Sequence, residues 1–204
     1  MKLYYAPNTI SVATAIVLEE AGIAFEPVRV DFATAEQTKA AYQAINPKGR
    51  VPALITDRGI LTETGAILEY IASTAPAANL VPDDHWEAAQ MRALMYYLAS
   101  TMHVNHAHKL RGIRWVTQDS SIEDMVAKVP QTMADSCRVV EENALVGPYV
   151  MGERFTIVDP YLYTICTWLE GDGVDVSEFP KIKQFMALME TRPSIMTLRE
   201  KGIL

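Results

Sequence analysis

Two short apolar runs, Val51 to Ile55 and Gly59 to Leu61, flank an Asp-Arg-Gly turn, which predicts an antiparallel hairpin. Pro52 stands at the head of the first run, where a strand tolerates a missing N–H, so the proline belongs at an edge or a bend. A cis Val51–Pro52 bond would turn the backbone groups of Val51 outward, where an extended peptide can pair with them. Directly after the hairpin, Thr62-Glu63-Thr64 opens an amphipathic helix, Ala66 to Ser73. Hydroxyls, a carboxylate and unpaired N–H groups thus meet at one helix N-terminus, a place suited to holding a carboxylate.

The chain before this hairpin supplies its neighbours. Lys2 to Tyr5 reads as a strand, Ala6 to Ile10 as a loop, and Ser11 as the N-cap of a helix from Val12 to Ala21 that Gly22 ends. Phe25 to Asp31 alternates as a second strand. A helix between two strands returns the chain parallel to its start, so the opening is a βαβ unit. With a further helix from Ala35 to Ala44, the order is β-α-β-α-β-β-α, and one end of the sheet is the expected functional surface.

From Ser73 to Asp84 the composition shifts to Ala, Pro and Asn, with Pro76 and Pro82 interrupting any helix. This divides the chain into residues 1–75, a linker at 76–84, and residues 85–204. The second part is all-helical. Trp86 to Leu110 carries Met91, Leu94, Met95, Leu98 and Met102 at helical spacing, and a second long helix spans about Ser121 to Leu145, kinked or divided at Pro130. A Thr156-Ile157-Val158-Asp159 box starts an apolar helix that runs through Leu169. Lys181 to Thr191 and Ser194 to Lys201 finish the chain.

With 25 acidic against 18 basic residues the net charge is −7, which disfavours a nucleic-acid or anionic-membrane surface. Cys137 and Cys166 lie far apart with no metal spacing, so they read as free buried thiols in a reducing cytoplasm. No apolar run approaches the roughly 20 residues of a membrane span, and the first residues enter a strand directly, so a soluble cytoplasmic protein without an N-terminal export signal is expected.

The run Asn46-Pro47-Lys48-Gly49-Arg50-Val51-Pro52-Ala53-Leu54, followed by Leu61-Thr62-Glu63-Thr64, resembles the cytosolic glutathione S-transferases, nearest to the bacterial beta class. Lys2-Leu3-Tyr4-Tyr5, Gly152 to Asp159, Phe179-Pro180 and Arg192-Pro193 extend the likeness over nearly the whole chain. The resemblance implies an α/β thioredoxin-like N-terminal domain followed by an all-α domain, in a homodimer. It also implies that Val51, before a cis Pro52, pairs with the cysteinyl part of glutathione, and that Glu63 and Thr64 bind the γ-glutamyl carboxylate. Beta-class relatives often place a lysine at Ala35 for the glycyl carboxylate; here either Lys48 or Arg50 substitutes or the loop is left open. Glutathione would be a substrate, and no other cofactor is expected.

Chemistry turns on activating a thiol, whose ordinary pKa of about 8.5 leaves little thiolate at neutral pH. Tyr5, Asn8, Thr9 and Ser11 all sit where the first strand meets the first helix. The resemblance puts Ile10 where beta-class relatives have a cysteine, so the mixed-disulfide chemistry of that cysteine is in doubt here. Ser11 leads the four because its hydroxyl is the better single donor, although capping alone would account for it, and Tyr5 reads first as a packed strand aromatic and only second as a catalytic phenol. Three histidines, His103, His106 and His108, fall in one stretch ending at Trp115, but only His103 and His106 are spaced to meet, and no third metal ligand is evident. By resemblance His103, with His106, Trp115, Trp168 and Ile10, would shape the electrophile pocket or dimer cleft. Three functions stay open: conjugation of glutathione to small hydrophobic electrophiles, glutathione-dependent reduction of disulfides or peroxides, and non-catalytic glutathione binding.

Overall fold

The computed structural model describes every residue from Met1 to Leu204 and divides into two compact units, Met1–Asp83 with Met189–Leu204, and Asp84–Leu188. In the first unit β1 (Lys2–Tyr5) is joined through α1 (Ser11–Glu20) to β2 (Glu26–Arg29), and the two strands pair in parallel with Lys2 opposite Glu26. The hairpin forms as β3 (Ala53–Thr56) and β4 (Gly59–Thr62), antiparallel, and β3 also runs antiparallel to β1 with Leu3 opposite Leu54. The sheet order is therefore β2-β1-β3-β4. This is the thioredoxin-like arrangement that the resemblance implies.

The stretch from Ala35 to Ala44 departs from its expected single helix. A 3-10 turn at Glu36–Thr38 is followed by one short helix, α2 (Ala40–Gln43), because Ala35 takes a left-handed conformation and Lys39 is extended. The Thr38 hydroxyl donates back to the Ala35 carbonyl at 2.7 Å, offering the backbone a local alternative to a helix, and only Tyr42 in this stretch is buried. The helix after the hairpin, α3 (Thr64–Thr74), begins two residues before Ala66.

Every residue of α1 from Ser11 to Leu18 is buried, which suits a helix whose apolar residues are spread around it, with Ser11 and Thr14 the two polar members of the buried stretch. Its acidic end finds partners far along the sequence. Arg192 grips the Glu20 carboxylate through Nε at 2.7 Å and Nη2 at 2.6 Å, and the Ser194 hydroxyl donates to the same carboxylate at 2.5 Å. Lys201 pairs with Glu19. Hence α9 (Pro193–Glu200), placed by sequence alone with the helical half, packs into the unit that holds the sheet.

In the second unit Asp84 caps α4 (His85–Tyr97), accepting from the N–H groups of Trp86 and Glu87 at 3.0 and 2.9 Å. A π-helical turn, Leu98–Met102, carries the chain into α5 (His103–Arg111), so the expected long helix is present with one widened turn. Helix α6 (Asp119–Asn143) continues through Pro130. The Thr156–Asp159 box builds the start of α7 (Val158–Cys166): fully buried Asp159 accepts from the N–H groups of Thr156 at 2.7 Å and Val150 at 2.8 Å. Helix α8 (Pro180–Glu190) is capped from a distance by Glu141, which accepts from the N–H groups of Lys181 and Ile182 at 2.8 and 2.9 Å. No helix is long and apolar enough to cross a membrane.

The Glu20 cluster gives a direct test. Arg192→Ala strips a forked, half-buried ion pair and leaves Glu20 under-satisfied, so urea unfolding should show a loss of about 2 kcal/mol. Lys201→Ala, at a more exposed pair, should cost less than about 1 kcal/mol.

Candidate functional site

The register of the sheet gathers the expected residues at one end. Since Tyr4 pairs with Ala53 and Ala53 with Thr62, the exit of β1, the entry to β3 and the exit of β4 all lie at the same edge of the sheet. That end receives Tyr5 to Ser11, Val51 and Pro52, and Glu63 with Thr64. The Val51–Pro52 peptide is cis.

The loop leading to Val51 is fixed by two buried side chains that were not singled out from the sequence. The Arg50 carbonyl accepts from the Tyr42 hydroxyl at 2.7 Å and from the Asn46 amide at 2.6 Å. Asn46 Oδ1 also accepts from the Lys48 N–H at 3.2 Å, and the Asn46 carbonyl from the Gly49 N–H at 2.9 Å. Gly49 is required here: its φ is +61°, and a Cβ would stand 3.0 Å from the Gln37 carbonyl oxygen. Burial pushes the Tyr42 hydroxyl up to about 12, so it stays a proton donor. The Arg50 side chain itself is exposed.

Glu63 sits at the N-cap of α3 with φ +73° and ψ 120°, a conformation rarely adopted by a residue with a side chain. The carboxylate does not cap the helix. It lies 2.5 Å from Lys48 Nζ, which also donates to the Thr62 hydroxyl at 2.6 Å. Thr64, the first residue of α3, is buried beside it. The Glu63 carbonyl meanwhile accepts from the Ile67 N–H at 3.0 Å, so the backbone is committed to the helix while the side chain points away from it.

At the start of α1 the structure corrects one expectation: Ser11 is the first helical residue, not the cap, and Ile10 holds the cap position without any side-chain bond. Ser11 is fully buried. Its hydroxyl accepts from the Ala6 N–H at 3.1 Å and contacts the Ala6 carbonyl at 3.2 Å and Thr9 Oγ1 at 2.7 Å, while Thr9 Oγ1 reaches the Ala6 carbonyl at 2.8 Å. Two hydroxyl protons thus serve three oxygen contacts, and Thr9 is the partly exposed member of the pair. Asn8 is exposed and left-handed at φ +57°; Tyr5 and Ile10 are buried, Tyr5 as a strand residue.

In the second unit His103, His106 and Trp168 come together. The His106 ring stacks on Trp168 with centroids 4.2 Å apart, and His103 lies 5.1 Å from the same indole. Asp172, another residue not selected from the sequence, accepts at 2.7 Å from His106 Nδ1 and lies 3.7 Å from Lys109 Nζ, its side chain wholly buried. Lys109 also donates to the Gly171 carbonyl, so two positions of α5 pin the turn after α7. Trp115 is not part of this group; it packs edge-on against His108 at 4.7 Å. No group of three His, Cys, Asp or Glu is arranged to hold a metal ion.

A four-stranded βαβ-ββα sheet domain followed by a helical unit, with the Val-Pro turn and two helix starts at one sheet end, is a thioredoxin-like domain joined to an all-helical one. The glutathione S-transferase N-terminal domain model matches residues 1–73, and the C-terminal domain model matches residues 106–193. The chain is 31% identical over 198 residues to glutathione S-transferase GstA of Escherichia coli O157:H7, covering 96% of this chain and 95% of that protein. A glutathione transferase homologue from Sulfitobacter, solved with bound glutathione, is 60% identical with a TM-score of 0.98, covering 100% of this chain and 98% of the other. Maleylacetoacetate isomerase from Pseudomonas aeruginosa is 29% identical over 203 residues, 95% of this chain and 93% of that one. This chain belongs to the glutathione S-transferase family.

The strained backbone at Glu63 can be measured apart from any ligand. Glu63→Ala keeps a Cβ at positive φ and Glu63→Gly removes it. The glycine variant should be the more stable of the two by about 1 kcal/mol in urea unfolding, and a more stable alanine variant would refute strain at this position.

Proposed function

We propose that this chain is a glutathione S-transferase that joins the thiolate of glutathione to small hydrophobic electrophiles. The observation that carries the reading is the meeting, at one end of the sheet, of the Val51 backbone, the Glu63-Thr64 helix start and the Thr9-Ser11 hydroxyl pair. Glutathione lies extended along Val51, with its γ-glutamyl end at Glu63 and Thr64 and its sulfur toward the start of α1. It enters as a substrate, and no further cofactor is needed.

The hydroxyl pair supplies the donor. When the Thr9 proton turns from the Ala6 carbonyl to the sulfur, the Ser11 hydroxyl, 2.7 Å away, donates to Thr9 Oγ1 and strengthens it. A hydrogen bond to the charged form lowers the pKa of a thiol, raising the thiolate fraction at neutral pH. This reading passes the outward role from Ser11 to Thr9. Trp168 is only 8% exposed and covered by the His106 ring, so it serves as core of the second unit rather than as open surface, and the working form is a cytoplasmic homodimer with positioning as a main source of rate.

The cysteines weigh against the redox alternative. Burial drives Cys137 up to about 12 and Cys166 well above the ordinary thiol range, and Ile10 occupies the buried cap of α1. Both thiols stay protonated at pH 8 and hidden from solvent, so neither serves as an exchanging nucleophile.

Titration calorimetry with glutathione on wild-type and Glu63→Ala protein, followed by an aryl halide conjugation assay on the same samples, tests the reading. Binding in the wild type, weakened at least tenfold in the variant and accompanied by turnover, is the expected result. Thr9→Ala should lower turnover about tenfold or more, the usual scale for an electrostatic donor being larger still. Reduction of glutathionyl disulfides without conjugation would select the oxidoreductase instead. Independently, a thiol reagent at pH 8 should find no fast-reacting cysteine in the native protein and two after unfolding.

A further inference from the structure

The second unit keeps a buried charge where its fold does not require one. The Asp172 side chain is wholly buried, and one of its oxygens, Oδ1, accepts no hydrogen bond; Lys109 Nζ stands 3.7 Å from it. The turn after α7 is already tied to α5 through the bond from Lys109 to the Gly171 carbonyl. A carboxylate taken out of water and left short of a partner lowers stability, and apolar residues of similar volume commonly hold such a place as well or better. An orphaned buried oxygen of this kind marks a role beyond packing.

The other oxygen shows what the role is. Oδ2 lies 2.7 Å from His106 Nδ1, and a carboxylate can only accept, so the proton sits on Nδ1 and the lone pair on Nε2. The ring is held in that orientation by stacking on Trp168, with centroids 4.2 Å apart and planes 23° from parallel. The bond to Asp172 is the one hydrogen bond that His106 makes, which leaves Nε2 uncommitted, and 20% of the side chain is exposed. An oriented imidazole with one uncommitted nitrogen and a buried carboxylate behind it is arranged to take up a proton and give it back. Once Nε2 is protonated, the imidazolium remains against the Asp172 charge.

We infer that His106, positioned by Asp172, is a proton-transfer residue for the addition of glutathione to alkenes conjugated with a carbonyl. This rests on the transferase reading. In such an addition the thiolate sulfur forms a bond to the β-carbon, the π pair shifts to make an enolate, and the proton on His106 Nε2 goes to the enolate. The thiol releases one proton to solvent and the imidazole takes one from solvent, so protons and charge balance over a turnover. Aryl halides make no such demand: the carbon–sulfur bond forms, halide leaves with the electron pair, and the ring accepts no proton. The dyad therefore favours addition over substitution.

Turnover of benzylideneacetone and of chlorodinitrobenzene is measured at saturating glutathione for wild type, His106→Asn, His106→Ala and Asp172→Asn. Asparagine at 106 keeps a donor for Asp172 and lacks Nε2. The ratio of enone to aryl halide turnover should fall about thirtyfold or more in His106→Asn and about tenfold in Asp172→Asn, the lower part of the range for general acid–base catalysis. Added imidazole should raise the enone turnover of His106→Ala about tenfold without raising its aryl halide turnover. A packing role for the pair would lower both reactions together, so a ratio within about threefold of wild type in His106→Asn overturns the inference. Wild-type protein that conjugates the aryl halide alone overturns it as well. Should Asp172→Asn fail to fold, the two His106 variants decide the question. Wild-type protein that turns over neither compound overturns the transferase reading itself, and this inference with it.

Discussion

The carbonyl of Arg50 is the point on which the first unit's functional end depends. It takes two strong donors, the Tyr42 hydroxyl and the Asn46 amide, both from nearly inaccessible side chains. A buried carbonyl can be satisfied by one bond; two from different residues hold it in direction as well as in place. Since the next residues are Val51 and cis Pro52, this clamp decides where the extended edge of the site begins. Asn46 does more than hold the carbonyl, because it also receives the Lys48 N–H and so sets the path of the residue that reaches Glu63. One asparagine thereby connects the start of the Val51 edge and the charged corner.

The charged corner and the hydroxyl corner work on different terms. At the start of α3 a carboxylate and an ammonium stand within water's reach, where solvent screens the pair and it adds little to stability. At the start of α1 the Ser11–Thr9–Ala6 cluster is largely shut from solvent, and each hydroxyl proton has more acceptors than it can serve. A proton shared in this way can be redirected without leaving a group bare. In the second unit the Asp172 carboxylate orders His106 and Lys109 from α5, which fixes the His106 ring flat against Trp168.

Much of this was legible in the order of residues. The hairpin, its proline, the βαβ opening and the helical second half follow from short-range signals: turn residues, strand alternation and apolar periodicity. Glu63 and Thr64 were found because a helix start was evident. What escaped were consequences of distance in sequence. Asp172 lies in a Gly-Asp-Gly break that reads as a turn, and nothing local reveals that His106 and Lys109 will arrive there. Ser11 reads as a cap because serine before an apolar run is what a cap looks like, yet the backbone enters the helix at Ile10 and the hydroxyl turns inward to Ala6. Tyr42 and Asn46 were hidden for a related reason: both hold a backbone carbonyl, and carbonyls leave no mark in a sequence. The broken helix at 36–43 could have been suspected from its scarcity of apolar residues.

The return of Met189–Leu204 to the sheet unit bears on how the protein is made. A ribosome delivers β1 and the hairpin early, but α1 keeps part of its apolar surface and the Glu19 and Glu20 carboxylates unclaimed until Arg192, Ser194 and Lys201 have left the exit tunnel. The second unit, contiguous in the chain, has all its parts sooner. Assembly during translation is thus inverted relative to the order of the code, and the half that begins first is completed last.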